Sequence, residues 1–349
     1  MRAKRLAKHS TSAAVQSWFE MKKRQQPSSI DVAHHAGVSQ SAVSRTFSGQ
    51  SVSDATRDKV LRAADALGYR PNALLRVISQ QSNLIGVVMG EITNPFYPEV
   101  LEALLIALEE RGFRVMLKHL NGAKDADAAI EEVLAYKVRG IIVTSSYLGS
   151  EIAERCAKSD VPVVLFNRFI HGIPVSAITC DNVDAGRMVA NLFMDRGFRR
   201  PAFISGSPDA NSNLDRKKGF FDRLAERGGA APVVLGDEHS YDVGAKAATE
   251  LLSWPELPDC LFCASDVLAF GALDTLRAAG VSVPGQISVV GFDDIPMAAW
   301  GAFNLTTLRQ PRRRMVQEAV DVLMSRINGS SATPIRLVPA ELVLRGTLK

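Results

Sequence analysis

From Leu84 onward the chain repeats one pattern: a short apolar run, a polar loop, then a helix-forming stretch. L-I-G-V-V-M begins at Leu84, a helix is expected around Pro98–Arg111, and R-V-M-L-K-H-L follows. A helix around Ala126–Tyr136 leads to G-I-I-V-T-S, and one around Glu151–Lys158 leads to V-P-V-V-L-F. After Asp181 the rhythm restarts. Helices are expected at Ala185–Arg196, Arg216–Arg227, Val243–Leu252 and Val267–Ala279, alternating with P-A-F-I-S-G, A-P-V-V-L, D-C-L-F-C-A and I-S-V-V-G-F. Strands apolar on both faces need cover on both faces, so this alternation predicts βαβ units and parallel sheets. Two such series in succession predict two α/β lobes with a cleft between them.

Ligands of open α/β sheets bind beyond the carboxyl ends of the strands. The residues falling there are Asn94, Phe96 and Tyr97 after the first run, and Asn167 and Arg168 after V-P-V-V-L-F. In the second series they are Ser212 and Arg216, Asp237 and His239, Ser265 and Asp266, and Asp293 and Asp294. Such a polar ring with a few aromatics suits a hydroxylated small molecule. Loops collect Asp and Asn for turn chemistry alone, so the set carries this reading and no single member does.

Other chemistries find little support. No apolar run approaches the roughly 18–20 residues of a membrane span. The basic N-terminus lacks the apolar segment of a secretory signal. The 4 cysteines form no disulfide framework, which fits a reducing cytoplasm. Cys260 and Cys263 have a redox or metal spacing, but they lie in an apolar strand with no second Cys/His pair, so they read as core and no metal site is expected. There is no dinucleotide or phosphate-loop glycine motif and no nucleophile–base set, so neither a cofactor nor an enzyme is expected.

The charge is divided unevenly. Residues 1–82 hold 13 Lys and Arg against 5 Asp and Glu, whereas the rest holds 28 against 32. A basic head on a mildly acidic body points to a polyanionic partner. Within the head, Ser28 and Ser29 are capping types before I-D-V-A-H-H-A, and Gly37 can take the left-handed angle that ends a helix. Ser39 caps Q-S-A-V-S-R-T-F, and Ser53 caps a third helix that Gly68 ends. Ile30, Val32, Ala33 and Ala36 are expected inside, as are Ala42, Val43 and Phe47, and Val60, Leu61, Ala64 and Leu67. Three short helices with a tight turn between the first two make a helix-turn-helix arrangement. Its second helix leaves Gln40, Ser41, Ser44 and Arg45 outside, polar groups that can enter a major groove.

The stretch D-V-A-H-H-A-G-V-S-Q-S-A-V-S-R, with V-S-D-A-T-R-D-K-V-L-R-A-A-D-A-L-G-Y-R-P-N-A after it, closely resembles the lactose/galactose repressor (LacI-type) family of bacterial transcription regulators. R-K-K-G-F at Arg216–Phe220, A-S-D at Ala264–Asp266 and V-V-G-F-D-D at Val289–Asp294 resemble the family's effector domain, which is similar to periplasmic sugar-binding proteins. The resemblance spans residues 30–349. It implies that Gln40, Ser41 and Arg45 read bases and that Ser39, Ser44, Ser53 and Asn72 contact phosphate. It implies a hinge after Pro71 in which Ile78 is the apolar wedge for the minor groove. Effector contacts then fall on Phe96, Asn167, Ser212, Arg216, His239, Ser265 and Asp293. Thr46-Phe47-Ser48 departs from the family's usual Val-Leu-Asn, Ser265 replaces its usual Asn, and an aromatic is often found where His239 stands.

The expected organisation is a basic arm over 1–28 with Met21 as a second candidate start, a helix-turn-helix domain over 29–70, a hinge over 71–83 and an effector-binding and dimerisation domain over 84–349. Lobe 1 is expected at about 84–181 plus 309–335 and lobe 2 at about 182–308 plus 336–349. The expected protein is a cytoplasmic homodimeric repressor that binds a pseudo-palindromic operator and is controlled by a sugar or sugar acid. The competing reading is a solute-binding or sensor protein with no DNA role.

Overall fold

The computed structural model describes residues 27–48, 51–70, 83–90, 92–120, 126–144, 154, 161–169 and 172–349. Residues 1–26 of the arm expected over 1–28 and most of the expected hinge, with Asn72 and Ile78, lie outside the described residues, as does nearly all of the helix expected at Glu151–Lys158. The chain divides into two compact units, residues 1–81 and 82–349.

The first unit holds α1 (Ser29–Ala36), α2 (Gln40–Ser48) and α3 (Asp54–Leu67). Ser28 starts α1 with a reciprocal cap: its hydroxyl accepts the Asp31 N–H at 3.3 Å, and the Asp31 carboxylate accepts the Ser28 N–H at 2.7 Å. Gly37 ends α1 at φ 66° and Gly68 ends α3 at φ 63°, a backbone region that costs glycine little. Val32, Ala33, Val43, Val60, Ala63 and Ala64 form the core, with Val38, Phe47, Leu67 and Tyr69 packed around it. Two expected core positions are instead exposed, Ile30 at 62% and Leu61 at 46%. The α3 stripe runs Val60, Ala63, Ala64, Leu67, and Leu61 lies a quarter turn off it.

The second unit contains two six-stranded sheets. The first comprises β1 (Leu84–Met89), β2 (Arg114–His119), β3 (Gly140–Thr144), β4 (Val163–Phe166), β5 (Ser176–Cys180) and β11 (Ile335–Val338), in the order β11-β5-β4-β3-β1-β2. The second comprises β6 (Pro201–Ile204), β7 (Val233–Leu235), β8 (Cys260–Cys263), β9 (Ser288–Asp293), β10 (Thr306–Arg309) and β12 (Glu341–Val343), in the order β12-β10-β9-β8-β6-β7. Every pairing is parallel except β10 with β12. Each sheet therefore reverses its strand order once, between β1 and β3 and between β6 and β8, and a crevice opens at such a point.

The helices are α4 (Phe96–Glu109), α5 (Ala126–Ala135), α6 (Asn182–Asp195), α7 (Asn211–Glu226), α8 (Tyr241–Leu252), α9 (Asp266–Ala278) and α10 (Arg312–Ile327). α7 starts five residues before its expected start, so Ser212 and Arg216 share one helix face. Bare helix backbones meet at two crossings. A Cβ on Gly219 would lie 2.0 Å from the Val183 carbonyl oxygen, and one on Gly271 would lie 2.0 Å from that of Tyr241. These contacts lock α6 on α7 and α8 on α9.

The chain passes between the lobes after β5, after β10 and after β11. α10 packs on α4 and on β3, β4 and β5, so it belongs to the first lobe. β11 ends at Val338 in the first sheet, so the last crossing falls there and not between 335 and 336 as expected. Arg312, the first residue of α10, bridges the lobes. Its guanidinium donates to the carbonyls of Asp293 (3.3 Å) and Asp294 (3.0 Å) and meets the Glu99 carboxylate of α4 at 2.6 Å.

Candidate DNA-reading helix and ligand cavity

Ser39, Gln40, Ser41, Ser44 and Arg45 are all exposed along the first turns of α2. Ser39 caps the helix by accepting the Ala42 N–H at 3.2 Å, and its hydroxyl pairs with that of Ser41 at 2.9 Å. The Gln40 amide donates to the Ser29 hydroxyl, and Arg45 Nε donates to the Ser41 carbonyl at 3.4 Å. Thr46 turns back onto the Ala42 carbonyl and Phe47 packs against Tyr69, so these departures from the family pattern serve the helix and its core. Ser53 caps α3 through the Thr56 N–H. An amide and a guanidinium at the front of an exposed helix match adenine and guanine edges, and hydroxyls at a helix N-terminus match phosphate.

In the second unit one cavity is lined by Asn94, Phe96, Tyr97, Asn167, Ala210, Ser212, Arg216, His239, Ser265 and Asp293. Every expected effector residue but Arg168 lies on its wall. Arg168 lines the adjoining space with Tyr97, Asn167 and Ser212. The first lobe supplies the ends of β1 and β4 and the start of α4, and the second supplies α7, the loop after β7 and the ends of β8 and β9. The walls nearly meet, leaving space for about one water molecule.

Local geometry aims these groups. The Asn94 side chain accepts the Phe96 N–H at 3.1 Å and fixes the start of α4, which turns Phe96 and Tyr97 inward. Ser265 caps α9. Asn167 has φ 58° and Asp293 φ 118°, angles that non-glycine residues seldom adopt and that concentrate at functional sites. The His239 ring lies against Gly206, where a Cβ would come within 2.0 Å of it. Burial first, and the nearby Arg216 charge second, lower the His239 pKa to about 3, so its imidazole is neutral.

Arg216 is 3% exposed. Its Nε donates to Asn182 Oδ1 at 2.8 Å, its Nη1 donates to the Ala264 carbonyl at 2.5 Å, and its Nη2 lies 3.8 Å from Asp293 Oδ1. Asp293 Oδ1 also accepts Gln310 Nε2 at 2.7 Å. Desolvation lowers the Arg216 pKa, and Asp293 opposes that shift.

Three other strand-end residues do not line the cavity. Asp237 is exposed. Asp294 turns away to pair with Arg309 (2.7 Å) and Arg345 (2.6 Å). Asp266 lies beneath the cavity, accepting the Thr307 hydroxyl at 2.6 Å and the Ile295 N–H at 2.9 Å. Burial and then the neighbouring Asp293 raise its pKa well above the ordinary carboxylate range. Cys260 and Cys263 are fully buried in β8, and burial raises both thiols. Among the described residues no cluster of His, Cys, Asp and Glu could hold a metal ion.

Asn182, Gln310 and Phe292, which fix Arg216 and Asp293, were not anticipated. Gln310 could have been found, because R-R-R-M-V-Q-E-A-V-D-V-L-M, which starts at Arg312 after Pro311, carries the helical stripe Met315, Val316, Ala319, Val320, Leu323 and so marks Gln310 as the residue just before a helix start.

The bacterial regulatory proteins of the lacI family match residues 30–72, and the periplasmic binding protein-like domain matches residues 190–348. The chain is 32% identical to the HTH-type transcriptional regulator CelR of Thermobifida fusca, over 91% of this chain and 97% of the relative. It is 31% identical to the HTH-type transcriptional repressor PurR of Photobacterium profundum, over 91% and 98%. Among solved structures, the lac repressor dimer bound to operator and the anti-inducer ONPF superposes with a TM-score of 0.84 at 27% identity, covering 93% of this chain and all of the other. The CelR–cellobiose complex superposes at 0.70 with 31% identity, covering 92% and 99%. A helix-turn-helix head, a two-lobed parallel-sheet body and this likeness along almost the whole chain agree: the chain belongs to the lacI family of bacterial regulatory proteins and is a DNA-binding transcriptional regulator.

Proposed function

We propose that the chain represses transcription as a cytoplasmic homodimer whose two heads read the halves of a pseudo-palindromic operator, and that a sugar or sugar acid bound between the lobes controls it. The observation that carries the effector reading is the convergence of side chains from both lobes, named from six separate strand ends, on one cavity. A ligand held there touches both lobes at once, so its affinity depends on how they are set. A ligand shifts an equilibrium only through such a difference between states. The narrow gap means that the lobes part to admit it.

Gln40, Ser41 and Arg45 are the base-reading groups in this proposal, and Ser39, Ser44, Ser53 and Asn72 hold phosphate. Ile78 is the wedge that kinks the duplex, a step costing a few kcal/mol that contacts on bent DNA offset. A repressor dimer on operator and a CelR–cellobiose complex, both similar to this chain, support the reading. The head argues against a solute-binding protein without a DNA role, and the cavity is read as a binding site rather than a catalytic one. The test is a thermal-shift screen of sugars and sugar acids, followed by operator titration with each hit, because a ligand of the native state stabilises it by mass action. A hit that leaves operator affinity unchanged contradicts the proposal.

A further inference from the structure

We infer that the effector is an uncharged, hydroxyl-bearing molecule and that Asn167 and His239 together select against its charged counterparts. The inference rests on reading the cavity as the effector site.

The first observation is an unmet demand for hydrogen bonds. Asn167 Oδ1 and His239 Nδ1 are both buried on the cavity wall, and neither has a hydrogen-bond partner among the described residues. A buried polar atom without a partner costs free energy until one arrives. An ionised carboxylate or phosphate group placed at that point brings only oxygen lone pairs and has nothing to donate to the Asn167 oxygen. A hydroxyl donates to it directly. The neutral His239 ring carries one N–H and one lone pair, and a hydroxyl, both donor and acceptor, serves either tautomer.

The second observation is that the cavity's charge is already balanced. Among the described residues lining the cavity, Arg216 is the one Lys or Arg. Its donors are turned to Asn182 and the Ala264 carbonyl, its charge faces Asp293, and its flat face lies on Phe292. An incoming anion would have to compete with Asp293 for that guanidinium. His239, whose ring packs against Gly206, adds no positive charge, because its pKa is lowered to about 3. An uncharged ligand meets none of this resistance.

The test is isothermal titration of the full-length protein with matched pairs: glucose against glucuronate and glucose 6-phosphate, galactose against galacturonate, ribose against ribose 5-phosphate, and cellobiose against cellobionate. At least one neutral sugar binds, and its charged partner binds at least about tenfold more weakly. His239→Phe and Asn167→Gly each weaken the neutral sugar by about tenfold or more, whereas His239→Gln, which keeps an uncharged donor and acceptor, stays within a few-fold of wild type. The glycine variant tolerates the positive φ of Asn167, so loss of binding there reports the side chain. A charged member binding as tightly as its neutral partner overturns the inference. Loss of that binding in Arg168→Ala would then place recognition in the adjoining space. If no member of either series binds, the effector reading itself falls, and this inference with it.

Discussion

The guanidinium of Arg216 lies flat on Phe292, 3.5 Å from the ring centre. That stack, together with bonds to Asn182 and Ala264, makes Arg216 a structural bolt between α6, α7 and the ends of β8 and β9. Arg216→Ala would leave Asp293 with its counter-charge gone in a dry site. Removing one partner of a buried ion pair costs about 3–5 kcal/mol. A urea titration is expected to show a loss of that size along with the loss of effector response. A loss under about 1 kcal/mol would contradict the bolt.

Arg45 is expected to carry sequence preference. Arg45→Ala should cost about 1–3 kcal/mol on the preferred operator and flatten discrimination at one base pair. Binding titrations against a set of single-base operator variants check this. An equal loss on every sequence would make Arg45 a phosphate contact.

Arg312 ties Glu99 to the turn that carries Asp293. Burial raises the Glu99 pKa, and the Arg312 charge holds it down. In Arg312→Ala the opposing charge is gone and the folded-state pKa climbs further. A raised carboxyl pKa leaves stability intact below the unfolded value and withdraws it as pH rises through the folded value. The variant should therefore be destabilised more at pH 7 than near pH 4, by about 1–2 kcal/mol at neutral pH. Urea midpoints of wild type and variant at the two pH values decide it. An equal difference at both would show that Glu99 does not depend on Arg312.

His239 works with the opposite sign. Its folded-state pKa, about 3, lies below the ordinary histidine value of 6.5, so its share of stability is complete above pH 6.5 and falls away as pH drops toward 3. Each pH unit in that window costs on the order of 1 kcal/mol. His239→Gln, which cannot take up the proton, should lose less stability than wild type between pH 6.5 and 4. Parallel curves would mean that the ring is solvated.

Much of this was legible in the sequence because it is written locally. Ser28 with Asp31, Gly37, Ser53 and Gly68 announce the three helices of the head through caps that need no tertiary contact. The strand ends were legible because apolar runs mark where strands stop, and parallel topology puts those stops on one side. Burial of single positions was less legible, as exposed Ile30 and Leu61 show, because a leucine one step off the helical stripe looks like its neighbours. Least legible were contacts set by the third dimension. Nothing in the chain places Asn182 beside Arg216, or Gln310 beside Asp293, until the lobes are assembled. The short strands β5 and β10 to β12 were missed for the same reason: each is three to five residues long and is defined by its pairing.

The most direct test of the central claim is a fluorescence-anisotropy titration of the full-length protein with a duplex from its own promoter region, at fixed salt, with excess competitor DNA, and with and without a sugar that stabilises the fold. The expected result is specific binding whose affinity changes about 5- to 150-fold when the sugar is added, the range of ordinary allosteric coupling. Binding no tighter than to competitor DNA, or an affinity indifferent to every stabilising ligand, would contradict it.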